Sequence, residues 1–214
     1  MQKHLFTIGH STHTLEYFID LLAKHKVGAV CDVRSVPYSQ RNPQFNREPL
    51  KEHLRAAGLS YVFLGKELGA RSKNPDCYID GKVQYNYLVD EPIFSDGLRR
   101  VRNGMERFRV TLMCAERDPL TCHRTILVCR ELRAPDLEIE HILADGNIET
   151  NAAAEKRLMS MLNIHPDMLH DERDCIEQAY QTQANHIAYV MPPLKPYSES
   201  RKLPDENLHD RLHE

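Results

Sequence analysis

The chain has 214 residues, enough for one full hydrophobic core, or for one domain with an appendage. Its apolar fraction of 41% and charged fraction of 28% are those of a water-soluble globular protein. A net charge of −3 excludes the broad basic excess that general binding to nucleic acids or membrane surfaces requires, although a local basic pocket is still allowed.

No apolar run reaches the roughly 18–20 residues needed to span a bilayer. The N-terminal MQKHLFTIGHS has no secretory apolar region, so the cytoplasm is the expected compartment and no membrane partner is expected. The cysteines at 31, 77, 114, 122, 129 and 175 are irregularly spaced and include no Cys-x-x-Cys pair. In such a compartment they read as thiols, not as a disulfide framework.

Residues 4–9, HLFTIG, read as a buried strand that ends at Gly9-His10-Ser11. Thr14 is a candidate N-cap for an amphipathic helix over 14–26, with Leu15, Phe18, Ile19 and Leu22 at helical spacing. Gly28 stops that helix, and a second strand runs to Val33. A strand–helix–strand unit of this kind is parallel and right-handed. A long loop follows, 36–48, with Arg41 and Arg47 interleaved with Tyr38 and Phe45, and loops of this length are more often functional than idle.

Residues 49–57 predict a short helix with Pro49 near its start and Gly58 just past its end, and 59–64 a third strand. The polar stretch 70–84 reads as an excursion with an Asp-Gly turn. Residues 85–105 read as helical, kinked or divided by Pro92. A fourth strand covers 108–113 and leads into a helix; Leu137 to Leu143 alternates like an edge strand. Two helices over 152–162 and 170–188, with Asn151 and Asp167 or Asp171 as candidate caps, precede a proline- and charge-rich tail.

The expected fold is α/β: a parallel or mixed sheet with helices on both faces, plus a helical C-terminal extension. The expected divisions are 1–150, an extension over 151–188 packed on it, and the tail 189–214. Parallel strands put their C-terminal ends on one edge, so His10-Ser11, Asp32-Arg34 and Cys114-Glu116 should converge there.

Cys114 ends a β-branched run before a helix, where a thiolate is stabilised, and it is a candidate nucleophile. The plain alternative is a small buried residue. Cys122-His123-Arg124 falls in the second turn of a helix if Asp118 is its cap, and in the first if Thr121 is. In the second case Arg124 could join Arg34 in holding a phosphate or carboxylate; the alternative pairs the arginines with Asp32 or Glu116 in a buried network. His10 and His123 are candidate acid–base groups. A metal held by Cys114, Cys122, His123 and His10 is a rival use of the same atoms, set behind because the spacing is no zinc pattern and adjacent Cys122 and His123 would diverge on a helix. Dinucleotide, P-loop and nucleophile-elbow motifs are absent from the sequence.

TIGHST (7–12), CDVRSVPYSQRNPQFN (31–46), LGKELGA (64–70), CAERDPLTCHR (114–124) and HIL-x-DG (141–146) together resemble the DUF488 family, bacterial and archaeal proteins of unknown function, over roughly 1–150. The downstream helices resemble the extension of a long branch of that family. The resemblance implies an α/β fold and recurring polar positions at His10, Ser11, Asp32, Arg34, Ser39, Glu116, Cys122, His123 and Arg124, together with Cys114. It implies no activity. A likeness to rhodaneses and cysteine phosphatases stops at the missing Cys-x5-Arg loop.

The leading expectation is an enzyme, a Cys/His-dependent hydrolase or transferase, acting on a small anionic, phosphorylated or nucleotide-like substrate. Cys114, Cys122, His123, His10 and Glu116 would carry the chemistry; Arg34, Arg124, Ser11 and Ser39 would bind the anion. The cofactor is left open, with neither a metal nor a bound coenzyme assigned. The alternative is a non-catalytic nucleotide- or nucleic-acid-binding module using Tyr38 and Phe45 as stacking platforms, with nucleic acid the less favoured partner.

Overall fold

The computed structural model describes residues 3–192; the tail beyond 192 lies outside the described residues. The chain forms β1 (Lys3–Gly9), α1 (Leu15–Lys24), β2 (Ala29–Asp32), α2 (Arg47–Ala56), β3 (Ser60–Phe63), β4 (Tyr78–Ile79), β5 (Lys82–Val83), α3 (Tyr85–Val89), α4 (Pro92–Met105), β6 (Val110–Cys114), a π-wound turn (Arg124–Cys129) continuing as α5 (Arg130–Leu132), β7 (Leu137–Ile142), β8 (Ile148–Thr150), α6 (Asn151–Met161) and α7 (Glu172–Ile187).

Six strands make one sheet in the order β3-β2-β6-β1-β7-β8. All neighbours are parallel except β7 and β8. Successive residues of β1 face opposite sides of the sheet, and the apolar side chains divide accordingly. Phe6, Ile8, Val30 and Met113 pack with Phe18, Leu22, Leu50 and Leu54 of α1 and α2. Leu5, Cys31, Leu112 and Ile139 pack on the other face with α4, the π-wound turn, α6 and α7. Burying each such side chain stabilises the fold by roughly 1.5–3 kcal/mol.

Local signals place the elements. Thr14 caps α1 by accepting from the Tyr17 N–H. Gly58, at φ +77°, follows α2, which begins two residues earlier than expected, at Arg47. Pro92 divides the 85–105 segment and stands at the start of α4, where its missing N–H costs nothing. The polar excursion contains the β4–β5 hairpin, with Asp80 and Gly81 both at positive φ in the turn. Asp171 caps α7, while Thr150, not Asn151, caps α6.

One expectation needs correction. β7 is not an edge strand: it lies between β1 and β8, and the three-residue β8 forms the edge. Its alternation comes from Glu138 and Glu140, which share one face of the strand and meet His4 of β1, while Ile139 points into the core. The helices over 151–188 share the core of the second face through Leu158, Cys175, Ala179 and Tyr180. Arg133 is paired with Glu155 at 3.1 Å and with Glu177, joining α5 to both helices.

His141 of β7 is fully buried opposite Thr7 of β1. Its Nδ1 accepts from the Thr7 hydroxyl at 2.9 Å, and its Nε2 meets Asn151 Oδ1 at 3.3 Å. Burial, then the Arg124 charge, pull its pKa from 6.5 down to about 3. The unfolded chain therefore binds this proton first, and stability falls as pH drops below 6.5. The slope is roughly 1.4 kcal/mol per pH unit, so about 2 kcal/mol is lost by pH 5. Urea unfolding as a function of pH should show this limb, and His141→Gln should flatten it. An unchanged limb in His141→Gln would assign the acid loss to other groups.

Among the described residues no helix is long and apolar enough to cross a membrane.

Candidate functional site

Because β6 is inserted between β1 and β2, the ends of all three strands meet at one edge. The ladder even continues past β1, with the His10 N–H on the Cys114 carbonyl and the Ser11 N–H on that of Ala115. Such a crevice beyond the carboxyl ends of parallel strands is where open α/β sheets bind ligands. The expected convergence of His10-Ser11, Asp32-Arg34 and Cys114-Glu116 is present, but the sheet edge splits it into two adjacent clefts.

The first cleft, about 260 Å³, is lined by Arg34, Arg71, Tyr85, Cys114, Glu116 and His123, among others. The second, about 300 Å³, is lined by His10, Ser11, Arg34, Tyr38, Ser39 and Asn42. Arg34, Val36 and Ala115 border both.

The buried arginine is held by its own strand end. Arg34 Nε donates to Asp32 Oδ1 at 2.9 Å and Nη2 to Oδ2 at 2.6 Å. Nη2 also donates to the Phe45 carbonyl, and the Tyr61 hydroxyl donates to Asp32 Oδ2 at 2.8 Å. Arg34 Nη1 donates to His10 Nε2 at 3.2 Å, while His10 Nδ1 donates to the Ser11 carbonyl. Both nitrogens of His10 are thus engaged. Burial, then the Arg34 charge, pull its pKa down to about 4, so it is a neutral positioning group in the free protein. Ser11 reaches the second cleft in a left-handed conformation, φ +48°. The Ser39 hydroxyl accepts from the Arg41 and Asn42 N–H groups and shapes the loop.

Phe45 is fully buried, stacked on His10 at 4.4 Å and set edge-on to Phe18. It therefore cannot act as a stacking platform, and only Tyr38 of the expected pair is exposed. Packing takes Phe45 into the core between the sheet, α1 and α2, beside Phe18, Leu50 and Leu54.

The thiol side of the edge is compact. Asp118 caps a tight turn, Pro119–Thr121, through the Leu120 N–H. Cys122 then returns to extended backbone, φ −133° and ψ 138°, and the next helix begins at His123. Neither expected capping register holds: Cys122 itself precedes the helix, its carbonyl accepting from the Thr125 and Ile126 N–H groups. Its sulfur takes the Arg124 N–H at 3.5 Å. This break in the helix is why Cys122 and His123 do not diverge. His123 Nδ1 lies 3.7 Å from Cys114 Sγ and 4.0 Å from Cys122 Sγ. Its Nε2 donates to the Val33 carbonyl at 2.9 Å.

Glu116 Oε2 lies 2.9 Å from Cys122 Sγ, a hydrogen bond that requires one shared proton. Burial raises the Cys122 thiol, but Cys114, the Arg124 guanidinium and His123 outweigh it and hold Cys122 well below the ordinary range. Burial and the neighbouring Cys122 push Cys114 up, and the same two causes raise Glu116.

Arg124 is fully buried and lines neither cleft; its Nη1 donates to the Glu116 carbonyl at 2.8 Å. It braces the 114–118 backbone and does not form a clamp with Arg34. Gly9 permits this brace to close: a Cβ there would lie 1.9 Å from the Glu116 carbonyl oxygen.

Sequence reasoning missed Arg71, Tyr85, Ile187 and Tyr189, which wall the first cleft. Arg71 sits over the Tyr189 ring at 4.2 Å. Tyr189 is fixed there because its carbonyl accepts from the Val83 N–H, while the Met191 N–H donates to Gly81. The first residues of the expected tail, Tyr189 to Met191, thus add to the hairpin and reach the site. The alternation-free polar run 70–84 carried no signal for this.

The family model described as "Domain of unknown function DUF488" matches residues 14–130, more than half of the chain. The protein belongs to the DUF488 family. Within DUF488, the matched span holds every candidate residue except His10 and Ser11, which end β1 just before it. No curated protein and no solved structure matches the chain.

Proposed function

We propose that this DUF488 protein is an enzyme acting on a small anionic substrate, phosphorylated or nucleotide-like, in the cleft of about 260 Å³. One observation carries the reading: two guanidinium groups, Arg34 and Arg71, share that cleft with Cys114, Glu116 and His123. Arg71 makes no ion pair among the described residues, so its planar donors are available to a phosphate or carboxylate. Arg34, whose charge Asp32 largely offsets, would offer its remaining Nη1 N–H from a fixed position. Glu116 is the acid–base group nearest the thiols, and His10 acts through Arg34 by positioning it. A cleft of this size suits a small molecule and not a polymer, which sets the nucleic-acid module behind.

The test is alkylation of Cys114, followed by mass spectrometry on the reduced, metal-chelated full chain. Inorganic phosphate, pyrophosphate and nucleoside monophosphates are the probes. At least one should slow labelling several-fold, and Arg71→Ala should abolish that protection while the fold is retained. Labelling indifferent to every anion, in a chain whose Cys114 does react, sinks the reading.

A further inference from the structure

We propose that Cys114, Cys122 and His123 form a site for one soft divalent cation of the zinc class, with its fourth coordination position open to the first cleft. The three donor atoms lie within 4.8 Å of one another. A tetrahedral zinc with bonds of about 2.3 Å to sulfur and about 2.0–2.1 Å to nitrogen needs sulfur–nitrogen edges of roughly 3.6 Å. The two edges here are 3.7 and 4.0 Å, so each sulfur needs to close on the nitrogen by only a few tenths of an ångström, and the two sulfurs, within 4.8 Å of each other, need to reach roughly 3.8 Å.

The surroundings support the donors as ligands. With Nε2–H donated to the Val33 carbonyl, Nδ1 of His123 faces both sulfurs. That is how a second-shell carbonyl orients a metal-bound histidine. The Arg124 N–H on Cys122 Sγ is a second-shell hydrogen bond of the kind that steadies a metal thiolate. Two sulfurs and one imidazole select zinc-class ions over magnesium or calcium, which take oxygen.

Cys114 and His123 line the first cleft and Cys122 does not, so the ion would be seated from behind and approached from the cleft. Three protein ligands with an open position is the composition of a catalytic zinc site, not a closed structural one. Glu116, beside Cys122, stands within reach of whatever fills that position. Binding leaves two thiolates and one neutral imidazole on the ion; the protons that Cys114 and the Cys122–His123 pair carry beforehand, up to two, go to solvent, and no oxidation state changes.

This inference stands apart from the enzyme reading. The reduced, chelator-treated full chain is titrated with Co²⁺ and, separately, with Zn²⁺ against a chromophoric chelator. The expected result is one ion per chain, with a thiolate-to-cobalt charge-transfer band and tetrahedral visible bands that Zn²⁺ abolishes. Cys114→Ser, Cys122→Ser and His123→Gln, each checked for native circular dichroism, should weaken binding on the order of 100-fold or more, and Cys77→Ser should bind like the parent. The wild-type cobalt spectrum decides the matter even if a variant fails to fold. No thiolate–cobalt band, or a band that survives Cys114→Ser and Cys122→Ser, overturns the site. Metal binding without anion protection would keep this site and sink the enzyme reading; protection without metal binding does the reverse.

Discussion

Asp32→Ala should destabilise the protein by about 3–5 kcal/mol. Asp32 is fully buried at the end of β2, and its two oxygens hold both edges of the Arg34 guanidinium. Removing the carboxylate leaves a cation that is 5% exposed with only a carbonyl and a neutral imidazole for partners. The Tyr61 hydroxyl loses its acceptor at the same time. Deleting one side of a buried pair costs more than deleting both, so adding Arg34→Met should recover part of the loss. The exposed pair Asp96–Arg99 is the control: Asp96→Ala should cost less than about 1 kcal/mol. Urea midpoints at constant slope give all three values. A loss below 1 kcal/mol for Asp32→Ala would mean that Arg34 reaches water or another partner once freed.

That pair was legible as a structural alternative, and the geometry realises it while leaving Arg34 on the wall of both clefts. The legible features share one cause. β1, β2, β6 and α1 announce themselves through local periodicity and caps, and parallel pairing then dictates that their ends meet. What was illegible depends on chain segments far apart. Nothing in the sequence says that β6 enters between β1 and β2. Nothing in the polar 70–84 run says that its hairpin will be extended by residues near 190, bringing Arg71 and Tyr189 to the site. Cys122 is the sharpest case. Its neighbours read as helix, so a helical geometry splayed Cys122 from His123. The Pro119 turn ends first, Cys122 becomes extended, and the two side chains meet over Cys114.

Gly9→Ala should cost about 3 kcal/mol or more, at the upper end of overpacking penalties, and should also dismantle the site it does not touch. The added methyl would meet the Glu116 oxygen at 1.9 Å and the Glu116 carbon at 2.8 Å. Both are backbone atoms on a segment fixed at each end. On one side, β6 is locked between β1 and β2; on the other, the Arg124 guanidinium grips the same carbonyl. The chain cannot yield by rotating a side chain, so the 115–117 turn must lift. Lifting it breaks the Arg124 brace, moves Glu116 off Cys122 and spreads the Cys114–His123 contact of 3.7 Å. The variant should therefore unfold at lower urea and, under conditions where it remains folded, lose both the anion protection of Cys114 and the cobalt–thiolate band. Gly104→Ala is the matched control, since a methyl there meets only the Val110 side chain, at an ordinary 3.5 Å. A Gly9→Ala protein with parental stability and an intact site would show that the turn is pliable, and that the donors are not held in place by the end of β1.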